Sequence, residues 1–223
     1  FTENTLFTTL THLGGEFSTD DFIAAAARYQ VEIGSISDQL DGVIQDPAGS
    51  SIGTGRNPKG GGLSGAIYRK FQCNPIPYID PGESVMSSNI DDGRRILHTH
   101  SHQLSKAPNL YEAARLLQQC YSSALYAFYF GRSSHGQDTL HLSAVSAAIF
   151  AGKYRHPAYN HLDPSVTQLG LVMALADFER VYPNALDGLS FNLFYFGDVA
   201  DPTPLYERAV AVHDALLAGP LLV

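Results

Sequence analysis

Asp46 is the carboxylate of this chain best placed for acid–base chemistry. It follows the apolar run Gly42-Val43-Ile44 and precedes Pro47, where a strand is expected to give way to a turn, so it lies at a sheet edge and not on a surface bend. A carboxylate there can take a proton from water or a sugar hydroxyl, given hydrogen-bond reach and a suitable pKa. Asp38, Asp41, Asp80, Asp91 and Asp92 are loop acids able to do the same work, and spacing alone does not choose among them. Beside Asp46 lies the most glycine-dense part of the chain, ending in Gly60-Gly61-Gly62-Leu63-Ser64-Gly65-Ala66-Ile67. Consecutive glycines let a backbone approach a ligand with its N–H groups free. The helical segment that follows adds a partial positive charge favouring phosphate. No Gly-Lys-Ser/Thr follows and the spacing is not G-x-G-x-x-G, so neither a Walker loop nor a dinucleotide fingerprint is present.

A second small-residue turn, Ser146-Ala147-Ala148-Ile149-Phe150-Ala151-Gly152, follows the strand expected over 139–144. Two such turns at the C-terminal ends of parallel strands share one sheet edge, where open α/β folds bind ligands. Together they point to a phosphate-bearing ligand.

His98, His100 and His102 alternate, a spacing that puts three imidazoles on one face of a strand and can bind zinc. No fourth ligand follows from the order of residues, and His102 already begins a loop. His98 therefore reads as a core or supporting histidine, no metal or other cofactor is expected, and a metal-dependent hydrolase built on the three is the weaker alternative. Serine, histidine and aspartate are all present without a G-x-S-x-G elbow, which argues against a nucleophilic-serine hydrolase. Cys73 and Cys120 are too far apart for a zinc ribbon or a CxxC pair and read as reduced. Cys120, among apolar neighbours in a helix, reads as core.

The elements that must position these groups alternate along the chain. A helix begins after Ser18, with Asp21 three residues on as in a capping box. Strands are expected at 29–33, at 42–44, at 95–100, at 139–144 and at 189–196, and helices at 66–71, 109–129, 164–181 and 204–217. Pro75, Pro77, Pro81 and Gly82 make residues 72–93 a loop or an interrupted hairpin. Such alternation implies a mostly parallel sheet with helices on both faces. Residues 1–28 read as a lead-in and helix belonging to the same domain as 29–223.

The 223 residues are 44 % hydrophobic and 16 % charged, which excludes a disordered chain. The net charge of −8 leaves no basic surplus for phosphate-backbone binding, so nucleic acid is not an expected partner. No apolar run is long enough for a membrane span, so no membrane partner is expected. The expectation is a soluble, cytoplasmic monomer. Phe1 is not a natural start and reads as that of a processed chain.

Several segments, in one order, resemble the macrodomain family. Val31-Glu32-Ile33-Gly34-Ser35-Ile36-Ser37 is similar to its strand ending in Gly-Asp-Ile-Thr. Val43-Ile44-Gln45-Asp46-Pro47-Ala48 is similar to the next strand with its Asn-Ala-Ala-Asn turn. Residues 60–67 are similar to its Gly-Gly-Gly-Val-Asp-Gly-Ala-Ile segment. Ile96-Leu97-His98-Thr99 resembles its Val-Ile-His-Thr strand, residues 117–125 the following helix, residues 143–152 its Pro-Ala-Ile-Ser-Thr-Gly-Ile-Tyr-Gly loop, and residues 191–198 its closing strand. The resemblance covers about residues 29–213.

It implies a three-layer α/β/α fold with a mixed, mostly parallel central sheet, binding ADP-ribose or an ADP-ribosylated protein in a cleft at the sheet edge. The site residues implied are Ser35, Ile36, Asp46, Gly60, Gly61, Gly62, Leu63, Ser64, Ser146, Ala147, Ala148, Ile149, Phe150, Gly152 and Phe196. The two turns would cradle the diphosphate and distal ribose, Phe150 would border that ribose, and Phe196 would stack on adenine. The chain departs from the pattern at Ser35 and Ser64, where the family has aspartates, near Ala48, where it has an asparagine, and at Ala148, where it has glycine. The resemblance thus implies a hydrolase removing ADP-ribose from proteins with its catalytic carboxylate moved to Asp46. The acidic loops suit an arginine guanidinium, and so an ADP-ribosyl-arginine linkage. The alternative is a module that only recognises ADP-ribose.

Overall fold

The computed structural model describes residues 18–49, 62–73, 76–89, 92–155 and 161–195. Gly60, Gly61, Asp91, Phe196, the lead-in at 1–17 and the helix expected at 204–217 lie outside the described residues.

Six strands form one sheet in the order β1-β6-β5-β2-β4-β3. They are β1 (Tyr29–Ile33), β2 (Val43–Ala48), β3 (Ser84–Ser88), β4 (Arg95–His100), β5 (Thr139–Ser143) and β6 (Ser190–Tyr195). All neighbours are parallel except β3, which pairs antiparallel with β4 at the sheet edge. The helices are α1 (Thr19–Ala26), α2 (Gly62–Lys70), α3 (Leu110–His135) and α4 (Pro164–Val181).

Strand alternation sorts the apolar residues into two layers. Val43, Leu97, Leu140, Leu142, Phe191 and Leu193 face one way and pack with Phe22 of α1, Leu117, Tyr121 and Phe128 of α3, and Leu169, Val172 and Met173 of α4. Ile44, Ile96 and Phe194 face the other way and pack with Ile36, Ile67 and Phe71 around α2. β2 and β4 are central strands covered on both faces, so their polar residues Gln45, Asp46, His98 and Thr99 are buried along with the apolar ones. The result is the expected three-layer α/β/α arrangement with a mixed, mostly parallel sheet.

Four elements differ from the sequence reading, the first being α2, which begins at Gly62 and not at Ala66. β3 lies in the stretch read as a loop or an interrupted hairpin, and was not singled out because an edge strand of sequence Ser-Val-Met-Ser-Ser buries too little to show a pattern. α3 does not stop at Gly131. It runs on to His135 and closes at Gly136, whose φ of 64° supplies the left-handed cap. β2 continues through Asp46-Pro47-Ala48, which the sequence suggested as a turn.

Pro47 is tolerated in this interior strand for a specific reason. β2 pairs with β5 only at Val43↔Leu140 and Ile44↔His141, whereas its pairing with β4 continues to Ala48↔His100. Past Ile44 no ladder bond to β5 is made, so the missing proline N–H costs nothing on that side. Gln45, fully buried, spans the gap. Its side-chain oxygen accepts from the Ser143 N–H at 3.0 Å, and its amide nitrogen donates to the Thr99 hydroxyl at 2.9 Å. Toward their carboxyl ends β2 and β5 are thus not paired by ladder bonds, in the part of open α/β sheets that holds ligands.

Candidate functional site

The turn after β5 forms one wall of this edge. Ser146 adopts a positive φ of 57°, and its hydroxyl donates to the His102 carbonyl at 2.8 Å. The Ala147 carbonyl accepts from the Leu162 N–H at 2.7 Å, tying the turn to the segment before α4. Residues Ile149–Tyr154 then form a 3-10 helix containing Gly152 at φ 56°. A Cβ on Gly152 would lie 2.7 Å from the Ser105 Cβ, so glycine is needed there for both conformation and space. Ala148, where the resembling family has glycine, has φ −104° and ψ −109°, outside the helical and extended regions that alanine prefers. Among the described residues, no protein acceptor takes the N–H groups of Ala148, Ile149 and Phe150. These are orphan donors of a helical first turn, and clustered N–H groups of this kind attract anions.

α2 supplies the facing element. Phe71, just past its end, lies beneath the Arg94 guanidinium, 5.1 Å from the ring centroid, at the start of β4. The helix thus runs antiparallel to β2 and β4, and Gly62, with φ 57°, starts it on the edge where those strands end. Leu63 is half-buried there. Ser64 is not presented outward: it is buried and bonds the Tyr68 hydroxyl one turn on. Ser35 and Ile36 follow β1 at the same edge. The Ser35 hydroxyl pairs with that of Ser37 at 2.7 Å, and the Ile36 side chain is fully buried against Ile44 and Ile67. Phe150 reaches across to β2, since a Cβ on Gly49 would come within 3.4 Å of its ring.

Asp46 is placed differently from the other candidates. It is 0 % exposed and faces α2 from the middle of the sheet. Its Oδ2 accepts from the Tyr68 hydroxyl at 2.5 Å and from His98 Nδ1 at 2.8 Å, while the Ser87 hydroxyl bonds His98 Nε2 at 2.6 Å. The Tyr68 and His98 rings stack with centroids 5.7 Å apart. Burial, then the Asp46 charge, push the Tyr68 pKa well above its ordinary value, opposed by Ser64, so the phenol stays a proton donor. Burial and Asp46 likewise push the Cys73 thiol up to about 12, against an opposing bond from Ser87. The order Ser87–His98–Asp46 is that of a hydrolytic triad, but His98 is 0 % and Ser87 only 7 % exposed. The network joins β2, β3, β4 and α2 through buried polar groups. One atom stands apart: Asp46 Oδ1 is buried without a hydrogen-bond partner.

Sequence reasoning missed Tyr68, Ser87 and Gln45. Tyr68 had a signal, because it lies four residues after Ser64 and so shares its helix face. Ser87 had none, being on the unrecognised strand. The remaining acids do not join Asp46. Asp38 pairs with Lys70 at 2.8 Å at the far end of α2, Asp41 lies 3.4 Å from His141, and Asp92 accepts from the Arg94 N–H at 2.9 Å beside the start of β4. The Asp80 N–H bonds Glu83 in the loop before β3. The three alternating histidines also part company. His98 serves Asp46, His100 Nδ1 bonds the Ile79 carbonyl at 2.9 Å, and His102 Nε2 bonds Gln119 at 2.9 Å. Among the described residues, no three histidine, cysteine or acidic side chains converge on a common point. Cys73 and Cys120 are free thiols, both buried. Among the described residues, no helix is long and apolar enough to cross a membrane.

No protein-family model matches the chain, and no curated protein matches it in sequence. Solved structures do. An alphavirus P23pro-zbd structure superposes with a TM-score of 0.51 at 17 % identity over 87 % of this chain, which spans only 25 % of that longer chain. A Trypanosoma brucei macrodomain in complex with ADP gives 0.57 at 19 % identity, covering 83 % of this chain and 70 % of that one. An Oceanobacillus iheyensis macrodomain with ADP gives 0.52 at 18 % identity, covering 86 % and 93 %. At such identities the likeness speaks to architecture, and on that ground, with the sheet order and layers described above, this chain has the macrodomain fold.

Proposed function

We propose that this protein binds ADP-ribose, free or attached to a protein, in the crevice between the carboxyl ends of β2 and β5. The observation that carries the reading is the set of N–H groups on Ala148, Ile149 and Phe150 that no acceptor among the described residues takes. They lie on the same sheet edge as the start of α2, so two sources of positive potential serve one diphosphate. Leu63 and Gly62 border the same place, as Gly60 and Gly61 do in the sequence-based reading. Phe150 offers an apolar wall to the distal ribose, and Ser35 and Ile36 lie on the side where adenine is held. Phe196 keeps the stacking role on adenine proposed from sequence. The Trypanosoma and Oceanobacillus macrodomains with ADP supply the ligand class that fits these features. Calorimetry tests the proposal: ADP-ribose is expected to bind the full chain at least about tenfold more tightly than AMP, roughly 1.4 kcal/mol for the added phosphate and ribose. No measurable heat with ADP-ribose at millimolar concentration removes it.

A second reading is hydrolysis of the bond between ADP-ribose and a modified side chain, with arginine the first candidate. It is favoured by the unpartnered Asp46 Oδ1, the carboxylate lone pairs left over for a water. Water oxygen would bond the anomeric carbon, the glycosidic bond would break, and the proton accepted by Asp46 would pass to the leaving group. The full burial of Asp46 and the engagement of its Oδ2 place recognition ahead of hydrolysis. Incubation with peptides ADP-ribosylated on arginine, glutamate or serine separates the two. Release of ADP-ribose that disappears in Asp46→Asn supports catalysis by Asp46, whereas binding without release from any linkage leaves recognition.

A further inference from the structure

A cavity of about 670 Å³ lies at the carboxyl end of β4, with Phe150 on one wall. Its size falls within the roughly 300–1,000 Å³ of pockets that hold small ligands. It is lined by the end of β4, the 3-10 turn Leu104–Lys106 and the first turns of α3, with His100, Ser101, Lys106, Leu116 and Phe150 on its walls. Phe150 is the shared partition, because its ring also meets the end of β2 at Gly49.

The walls carry unspent hydrogen-bonding capacity. His100 is 6 % exposed, and its Nδ1 must donate to the Ile79 carbonyl, which can only accept. The neutral ring then offers Nε2 as an acceptor, and no protein group among the described residues takes it. Ser101 is buried with its hydroxyl unpartnered, although its backbone N–H is anchored on the Ala48 carbonyl at 3.0 Å. Rotation about its one side-chain bond re-aims that hydroxyl among staggered positions. A buried polar group left without a partner is costly, by about 1–3 kcal/mol, so a ligand that satisfies it gains correspondingly. Lys106 at the rim has no ion-pair partner among the described residues. Leu116 and Phe150 supply apolar surface between these groups.

An acceptor and a hydroxyl on consecutive residues, flanked by apolar surface, match a peptide amide with its side-chain methylenes. We propose that this cavity receives the polypeptide bearing the ADP-ribose, so that His100 Nε2 and the Ser101 hydroxyl bond its backbone amide while its side chain lies against Phe150 and Leu116. This rests on the reading of the adjoining crevice as an ADP-ribose site. It adds that the protein distinguishes conjugated from free ADP-ribose, and that the distinction is made across Phe150. The formal charge of −8 favours a polypeptide over a nucleic acid as the carrier.

The test compares four probes on the full chain by calorimetry: ADP-ribose, a ten-residue peptide carrying ADP-ribose through a sulfur atom that resists hydrolysis, the same peptide unmodified, and an ADP-ribosylated single-stranded oligonucleotide. The peptide conjugate is expected to bind about tenfold more tightly than ADP-ribose. The double variant Ser101→Ala/Lys106→Ala, which removes no side-chain hydrogen bond or ion pair among the described residues, is expected to bring that ratio to about one. Equal affinities in the unmodified protein, a ratio that survives the double variant, or an oligonucleotide conjugate that binds more tightly than the peptide conjugate each overturn the proposal. Failure of ADP-ribose and of every conjugate to bind instead removes the reading of the crevice, and this proposal with it.

Discussion

Asp46 shows how a residue singled out from sequence can be assigned the wrong surroundings. Its position after an apolar run and before a proline was legible, and so was the partnership of His98 with something buried. The continuation of β2 through Pro47 was not, because the tolerance of proline there depends on where β5 stops pairing, a property of another strand. Once inside the sheet, the carboxylate becomes a junction between Tyr68 and His98. Replacing it with alanine leaves two buried polar groups without their acceptor, and the expected loss of stability is about 2–4 kcal/mol. Tyr68→Phe, which removes one donor and keeps the ring stack on His98, should lose only about 1–2 kcal/mol. Urea denaturation of both variants checks the ranking, and an Asp46→Ala protein as stable as the parent would show that the network does not hold α2 to the sheet.

The start of α1 and both ends of α4 were legible in the sequence, for physical reasons. Ser18 caps α1, and its hydroxyl accepts from the Asp21 N–H at 3.1 Å, as the capping-box spacing suggested. α4 was bounded correctly at both ends, since proline opens it and its long apolar face carries a clear period. α3 was cut short at Gly131, because a glycine inside a helix costs only about 1 kcal/mol and does not end it when a left-handed cap lies further on. The contact between α3 and α4 depends on another glycine that no local rule singles out. A Cβ on Gly170 would fall 2.5 Å from the Leu117 Cβ and 3.2 Å from the Ala114 carbonyl oxygen. Gly170→Ala is therefore expected to destabilise by about 1–3 kcal/mol, despite alanine's better helix propensity. A melting temperature at or above that of the parent would mean the helices separate without cost.

At the scale of the molecule, the layer arrangement was legible from alternation of elements, while the strand order and the antiparallel β3 were not, since pairing between distant segments leaves no local mark. The same long-range packing makes the fold sensitive to mild acid. Burial lowers the pKa of His141, with Asp41 opposing and Arg94 adding to the shift, and burial lowers that of His102, with Gln119 opposing and His100 and Lys106 adding. Their unfolded counterparts take up protons near pH 6.5. Stability is thus fully retained above that value and declines as pH falls below it, because the unfolded chain binds more protons. The melting temperature should drop between pH 7.0 and 5.5, and His141→Gln should flatten part of the drop; a rise on acidification would contradict the assignment. One consequence follows from Gln45. Within the strands near their carboxyl ends, the leaves β1-β6-β5 and β2-β4-β3 are joined among the described residues by the Gln45 side-chain amide, like a book bound along half its spine, and just beyond them by the Ser146–His102 bond. The Ser143 amide should accordingly be the β5 proton that Gln45→Leu exposes to rapid deuterium exchange, with Leu140 and His141 still protected, and the spacing of the two leaves at their open margin would then be set by what lies between them.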